Sequence, residues 1–370
     1  MRTNRMSPRI ISLFSGIGGL DIGVEAATSG RIVLQCESDP YCQRVLRKGG
    51  APLHPNIRTL TDVPPAEMVV GGFPCQDLSV AGRGAGLAGA KSGLWFEMLR
   101  VIRESDVDHV FIENVPGLRK RGLNTVLVGL LQLGYDTVWT LLSAGQVGAP
   151  HRRNRMWIYA RKPGAPNIAP GDIAHPLPEW ERAPRDIEPW EKGVPRVVRR
   201  GKTTHRIPRL KALGNAVVPQ CARFALVALS RQMDELQRDA DQLAPSPLPD
   251  EPPVCGALVG GCYFRTMRIR ATSQATPFPT PTAARSGYNH GGAAGRVGPK
   301  RHSLDTMAST GEWPSTRWAT PTVQDSTNNG GPAQYRRNSL SLNAQAAGPL
   351  NPTWVELLMG FPPFYTEVEE

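Results

Sequence analysis

The sequence predicts an α/β fold built on a doubly wound, mostly parallel sheet, with a smaller irregular lobe beside it. Short apolar runs alternate with helical patterns over residues 1–160, and a glycine turn joins the first run to the first helical pattern. From residue 161 the periodicity fades and prolines and cations accumulate, which is the composition of loops rather than core.

The strand-like runs are "RIISLF", "RIVLQCE", "MVVGGF", "HVFIENV", "DTVWTLLSA" and "RMWIYA". Between them "LWFEMLRVIRES" places Leu94, Met98, Val101 and Ile102 on one helical face, and "NTVLVGLLQLG" stops at Gly134 as helices often do. Residues 161–207 read as a short basic variable region; the stretch 152–209 carries 14 Lys/Arg against six Asp/Glu. Order returns over 208–244, with a turn at Gly214 and Asn215 and a helix that aligns Ala222, Leu226 and Leu229. "APSPLPDEPP" then reads as a stiff linker over 245–253. The tail, 254–370, holds a degenerate repeat whose TPT units stand at 280–282 and 320–322, and "LNPTWVELLMGFPP" puts Trp354, Leu357 and Leu358 at helical spacing.

A chain of 370 residues can bury a substantial core and still enclose a cleft. Its net charge of +11 favours a polyanionic partner, general solubility being the plainer alternative. The cysteines at 36, 42, 75, 221, 255 and 262 form no CxxC pair and no zinc-ligand spacing, so neither a metal site nor a disulfide framework is expected. No run approaches membrane-spanning length and the N-terminus carries no cleavable leader, so a soluble cytoplasmic protein is expected.

Chemistry concentrates at the predicted strand ends. In "LFSGIGGLDIG" the glycines at 16, 18 and 19 let backbone approach a ligand, or merely make a turn. A dinucleotide fingerprint from Gly16 would need glycine where Asp21 stands, so the nicotinamide reading fails on spacing. Glu37 ends the next strand, where a carboxylate can accept from both hydroxyls of a ribose. Cys75, in "GGFPCQ", follows a forced turn and precedes polar residues; it is an exposed nucleophile or else a small buried apolar group. Glu113 and Asn114 end "FIEN", where a carboxylate can serve as a proton donor, a salt-bridge partner or a cap. Arg153 and Arg155 stand two apart on an expected strand, hence on one face, as a clamp for a base edge or phosphate or as a solvated basic patch.

Taken together and in this order, "FSGIGG", Glu37, "GGFPCQ", "SGLWFEMLRV", "ENV", "QVGAPHRRNR" and "ALGNAVVP" resemble the DNA (cytosine-5) methyltransferase family over most of residues 9–230. The resemblance implies S-adenosyl-L-methionine as cofactor and a cytosine flipped out of double-stranded DNA. Carried over by position, Cys75 attacks C6 of the base, Glu113 protonates N3, Arg153 and Arg155 hold the base and its phosphate, and Asn114 and Gln76 shape the pocket. Phe14, Gly16, Ile17, Gly19, Glu37, Asn56, Ile57, Leu94, Asn215, Ala216 and Val217 are implied to line the cofactor site.

The chain departs from the family in places. Asn56 stands where members usually carry an aspartate that binds the adenine amino group, and an amide oxygen can replace it. The interval before "ALGNAVVP" is short for a complete target-recognition domain. "LNPTWVELLMGFPP" resembles a segment that normally precedes the GN motif yet here follows it, so a rearranged order is expected, with the tail forming part of the DNA-recognition lobe. The expected activity is that of a DNA (cytosine-5-)-methyltransferase of a restriction-modification system. The expected partners are DNA and a cognate restriction endonuclease, and the expected state is a monomer. Alternatives are an RNA cytosine-5 methyltransferase of the same fold and a catalytically silent DNA-binding protein on this scaffold.

Overall fold

The computed structural model describes residues 7–74, 93–169, 177, 189–198, 203–239, 246–266, 269, 288–289, 301–302, 318–327 and 340–369. Strands β1 (Arg9–Leu13), β2 (Arg31–Cys36), β3 (Leu53–His54), β4 (Met68–Gly71), β5 (His109–Asn114), β6 (Asp136–Ser143), β7 (Asn154–Arg161), β8 (Gly256–Val259) and β9 (Cys262–Phe264) form one sheet in the order β3-β2-β1-β4-β5-β7-β6-β8-β9. Pairing is parallel from β3 to β5 and antiparallel beyond it. Only β7 and β8 therefore run against the other strands of this sheet.

Strand alternation feeds two cores, one on each face. Ile10, Val70 and Phe111 point to the side covered by α1 (Gly19–Thr28), α2 (Pro40–Arg47), α6 (Arg206–Asn215) and α7 (Pro219–Asp239). Ile11, Leu13, Val69, Val110 and Ile112 point to the side covered by α3 (Leu94–Ser105), the short α4 (Leu118–Arg121) and α5 (Leu123–Gln132). On α3, Met98, Val101 and Ile102 are buried as their spacing predicts, while Trp95 is buried and Leu94 only half so. Ala222, Leu226 and Leu229 of α7 are buried too. The stretch Arg206–Asp239 is long and apolar enough to cross a bilayer, but 61% of its apolar window is packed inside the protein, as in a core helix.

The order of strands reverses between β1 and β4, so the chain leaves their carboxyl ends in opposite directions and opens a crevice there. The glycine turns after β1 and β4 both face this crevice.

The proline-rich stretch expected to be a linker is packed down. Its carbonyls accept from neighbours: Trp139 Nε1 donates to Pro253 O at 3.0 Å and Asn124 Nδ2 to Asp250 O at 2.5 Å, while Arg119 pairs with Glu251 at 2.7 Å. The tail is likewise no separate lobe along its described length. β8 and β9 extend the sheet, and Gly256 makes this possible because a Cβ there would lie 2.4 Å from the Trp139 ring. α8 (Leu342–Gln345) and α9 (Pro352–Leu358) follow, and Trp354, Leu358, Met359 and Phe361 bury fully in the α6–α7 core. Arg209 of α6 meets Glu356 of α9 at 2.8 Å, with both side chains almost fully buried. The basic region contributes to the same cluster, since Trp354 Nε1 donates to Glu191 at 2.9 Å and Val197 pairs with Leu350.

Candidate active site

A cleft of about 700 Å³ lies at the crevice. Its walls include Phe14 and Gly16 after β1, Glu37 and Asp39 after β2, Gly72, Phe73 and Pro74 after β4, Glu113 and Asn114 at the end of β5, Arg155 on β7, and Asn215 and Ala216 at the end of α6.

The first turn is built on left-handed backbone: Phe14 has φ 55°, Gly16 57° and Gly18 83°. A left-handed phenylalanine is strained, and such strain concentrates at functional sites. A Cβ on Gly16 would meet nothing within 4 Å, so this turn borders free space. Glu37 locks the turn, accepting from Gly16 N at 2.8 Å through Oε2 and from Asp39 N at 2.7 Å through Oε1. Each oxygen keeps a lone pair for a further donor.

The second turn explains its paired glycines. A Cβ on Gly71 would lie 2.8 Å from Leu13 O, and one on Gly72 would lie 3.0 Å from Glu113 Oε2. Gly72 thus lets the Glu113 carboxylate come close to the turn. Asn114 ties the same loop to β5, donating to Phe73 O at 2.9 Å while its own oxygen accepts from Val115 N. Glu113 Oε1 takes Arg155 Nε at 2.7 Å, and Arg155 Nη1 donates to Asn154 O. Cys75 and Gln76 lie outside the described residues; Pro74, immediately before them, lines the cleft.

No described cysteine offers itself as a substitute nucleophile here. Cys42 touches the cleft, but burial, then Glu37 and Asp39, raise its thiol pKa. Burial pushes Cys36 and Cys221 up to about 12. All three stay protonated thiols at neutral pH.

The predicted site residues divide. Phe14, Gly16, Glu37, Glu113, Asn114, Arg155, Asn215 and Ala216 come together. The others do not line this cleft among the described residues. Ile17 is buried, with its carbonyl taking Tyr365 Oη at 2.7 Å. Gly19 packs α1 against the chain after α6, where a Cβ would lie 2.2 Å from Val217 O. Asn56 caps a turn by accepting from Arg58 N at 3.0 Å, Ile57 is core, and Leu94 begins α3. Arg153 departs most from expectation. β7 begins only at Asn154, and Arg153 has φ 30°, so strand alternation does not hold and the two arginines part. Its guanidinium is buried and donates to backbone carbonyls instead of facing the cleft.

Sequence reasoning missed Arg121 and Lys211 at the cleft, and Asp39, which pairs with Lys211 at 3.1 Å. The cationic run "LRKR" is the signal that could have found Arg121.

Known proteins share this part of the chain. The type II methyltransferase M2.BsuMI of Bacillus subtilis (strain 168) is 33% identical over 162 residues, which is 41% of each chain. The type II methyltransferase M.NgoBI of Neisseria gonorrhoeae is 31% identical over 190 residues, 49% of this chain and 60% of that one. The chain thus spans roughly half the length of these curated relatives. Among solved structures, the S. pombe Dnmt2 methyltransferase is 24% identical over 43% of this chain and 52% of its own, with a TM-score of 0.38. Residues 8–190 match the family model for C-5 cytosine-specific DNA methylase, and over these residues the chain carries a domain of that family.

Proposed function

We propose that the protein is a DNA (cytosine-5-)-methyltransferase, using S-adenosyl-L-methionine to methylate C5 of a cytosine flipped from double-stranded DNA. The carrying observation is that Glu113, paired with Arg155, shares one cleft with the Gly16–Glu37 turn and with Pro74, the residue that leads to Cys75.

A nucleoside-type cofactor fits the residues present. Free space stands over Gly16, and Glu37 keeps acceptor capacity for ribose hydroxyls. Phe14, Gly16, Glu37, Asn215 and Ala216 would hold it, and when bound it would supply an electrophilic methyl group.

The chain's own residues would do the rest. The Cys75 thiolate adds to C6 of the base as Glu113 delivers a proton to N3, which makes C5 nucleophilic. Arg155 orients Glu113 through Nε and, lining the cleft with Nη2 free of described protein partners, would donate to the polar edge of the base. Once C5 carries the methyl group, its proton leaves to solvent, the S–C6 bond breaks to return the thiolate, and the N3 proton returns to Glu113. Arg121 and Lys211 at the cleft and the +11 net charge suit a phosphate backbone. DNA as substrate implies a cytoplasmic setting. A restriction endonuclease of matching specificity would be the natural partner, and the protein would act as a monomer.

The test is transfer of labelled methyl from the cofactor to duplex DNA against transfer RNA. Label in DNA cytosine supports the reading; label in RNA alone moves it to RNA, and no transfer to either leaves a DNA-binding scaffold.

A further inference from the structure

Arg153 is 5% exposed and has no carboxylate partner among the described ion pairs. Its Nη2 donates to Gly214 O at 3.1 Å and Ala216 O at 2.6 Å, its Nη1 to Pro321 O at 3.2 Å, and its backbone N to Thr320 Oγ1 at 3.0 Å. The first two carbonyls belong to the end of α6, where helix carbonyls lack intrahelical donors and a cation is favoured by the helix dipole. The other two acceptors belong to the second TPT unit of the tail. Gly214 seals the contact, for a Cβ there would stand 2.4 Å from the backbone of Thr322 and Val323. One guanidinium therefore joins three stretches of chain far apart in sequence, and one of them, Asn215–Ala216, is a wall of the cleft.

Burial, then Arg155, push the Arg153 pKa down to about 9, so it remains charged at neutral pH. A buried cation held by carbonyls alone is costly, and such an arrangement persists where it fixes a geometry.

We propose that Arg153 is a positioning residue: it holds the Asn215–Ala216 wall of the cofactor cleft against tail residues 320–322, so that the tail takes part in setting cofactor affinity. This rests on the reading of the cleft as the S-adenosyl-L-methionine site. It gives the second TPT unit a task distinct from reading DNA.

The test uses the full chain without DNA and titrates S-adenosyl-L-homocysteine calorimetrically. Arg153→Met is expected to weaken binding at least about tenfold, and Arg153→Lys, which keeps a donor and the charge, less. Thr320→Val, which removes only one acceptor, is expected to weaken it in the same direction and serves if Arg153→Met does not fold. The control is Arg161→Met, which removes a buried arginine paired with the partly exposed Asp234 (2.6 Å) at the far end of β7. It should lower the thermal midpoint without moving cofactor affinity more than about twofold. In turnover, the KM for cofactor should rise in the Arg153 variants while kcat at saturating cofactor changes little. Wild-type affinity in Arg153→Met or in Thr320→Val, or losses no greater than in Arg161→Met, would overturn the proposal. Failure of the wild type itself to bind would instead overturn the reading of the cleft.

Discussion

Glu113 and Arg155 meet at 2.7 Å with both side chains mostly buried, which fixes the carboxylate's direction before any base arrives. Gly72 leaves the second oxygen room beside the turn that leads to Cys75. Glu113→Gln keeps the size and removes the transferable proton, so single-turnover methyl transfer should fall by roughly 100-fold to 10,000-fold. Cofactor affinity should not change, because Glu37 belongs to the turn after β2 and, among the described residues, makes no hydrogen bond to Glu113. An unaltered rate would return Glu113 to the structural role its ion pair also allows. This residue was legible in the sequence because it ends an apolar strand beside a glycine turn that ends another. Arg153 was not: its meaning depends on β7 starting one residue later, and on carbonyls from residues 214, 216 and 321 that no local pattern announces.

At the scale of elements, α6 and α9 are fastened by Arg209 and Glu356, reinforced by Arg209 Nε to Thr366 Oγ1 at 3.0 Å, Arg209 Nη2 to Thr353 Oγ1 at 3.1 Å and Thr366 N to Glu356 at 2.9 Å. Removing Glu356 leaves the buried Arg209 cation with only the half-exposed carboxylate of Glu367, 3.9 Å away. Glu356→Ala should therefore cost about 3–5 kcal/mol of stability, read from urea unfolding. An effect below about 1 kcal/mol would show that α9 is dispensable to the core. The helical spacing of Trp354, Leu357 and Leu358 made α9 legible, but its docking site was not, since an amphipathic face names no partner. β8 and β9, of four and three residues in a glycine-rich stretch, were too short to read; β8 joins the sheet by pairing against β6, and β9 by pairing against β8.

For the whole molecule, acid should be destabilising before carboxylates titrate generally. Burial, then Arg161, push His109 down to about 4, and burial, then Arg153, push His151 down to about 3. Both are depressed from 6.5, so the stability they contribute is complete above pH 6.5 and is lost as pH falls toward 4. Burial raises Asp21 from 3.8 to about 6, so its contribution grows as pH falls through that window. Two histidines oppose Asp21 across this window, and Asp325, also raised by burial, opposes them as it protonates, so the net loss on acidification is at most about 1.4 kcal/mol per pH unit. The urea midpoint should drop steadily from pH 6.5 to 4; a flat or rising midpoint would contradict these assignments. The fold class itself was legible because strands buried on both faces must be apolar along their centres, as β4 and the Val110–Ile112 centre of β5 are.

The central claim is that the cleft performs covalent cytosine chemistry through Cys75 with Glu113 as its proton donor. A duplex carrying 5-fluorocytosine cannot lose a proton from C5, so the cycle should halt with the base still bonded to the enzyme. With S-adenosyl-L-methionine present, mass spectrometry should find the methylated duplex attached to the peptide that contains Cys75, and no adduct in Cys75→Ser. Methylation of ordinary cytosine by Cys75→Ser at near wild-type rate, or an adduct on any other residue, would contradict the account.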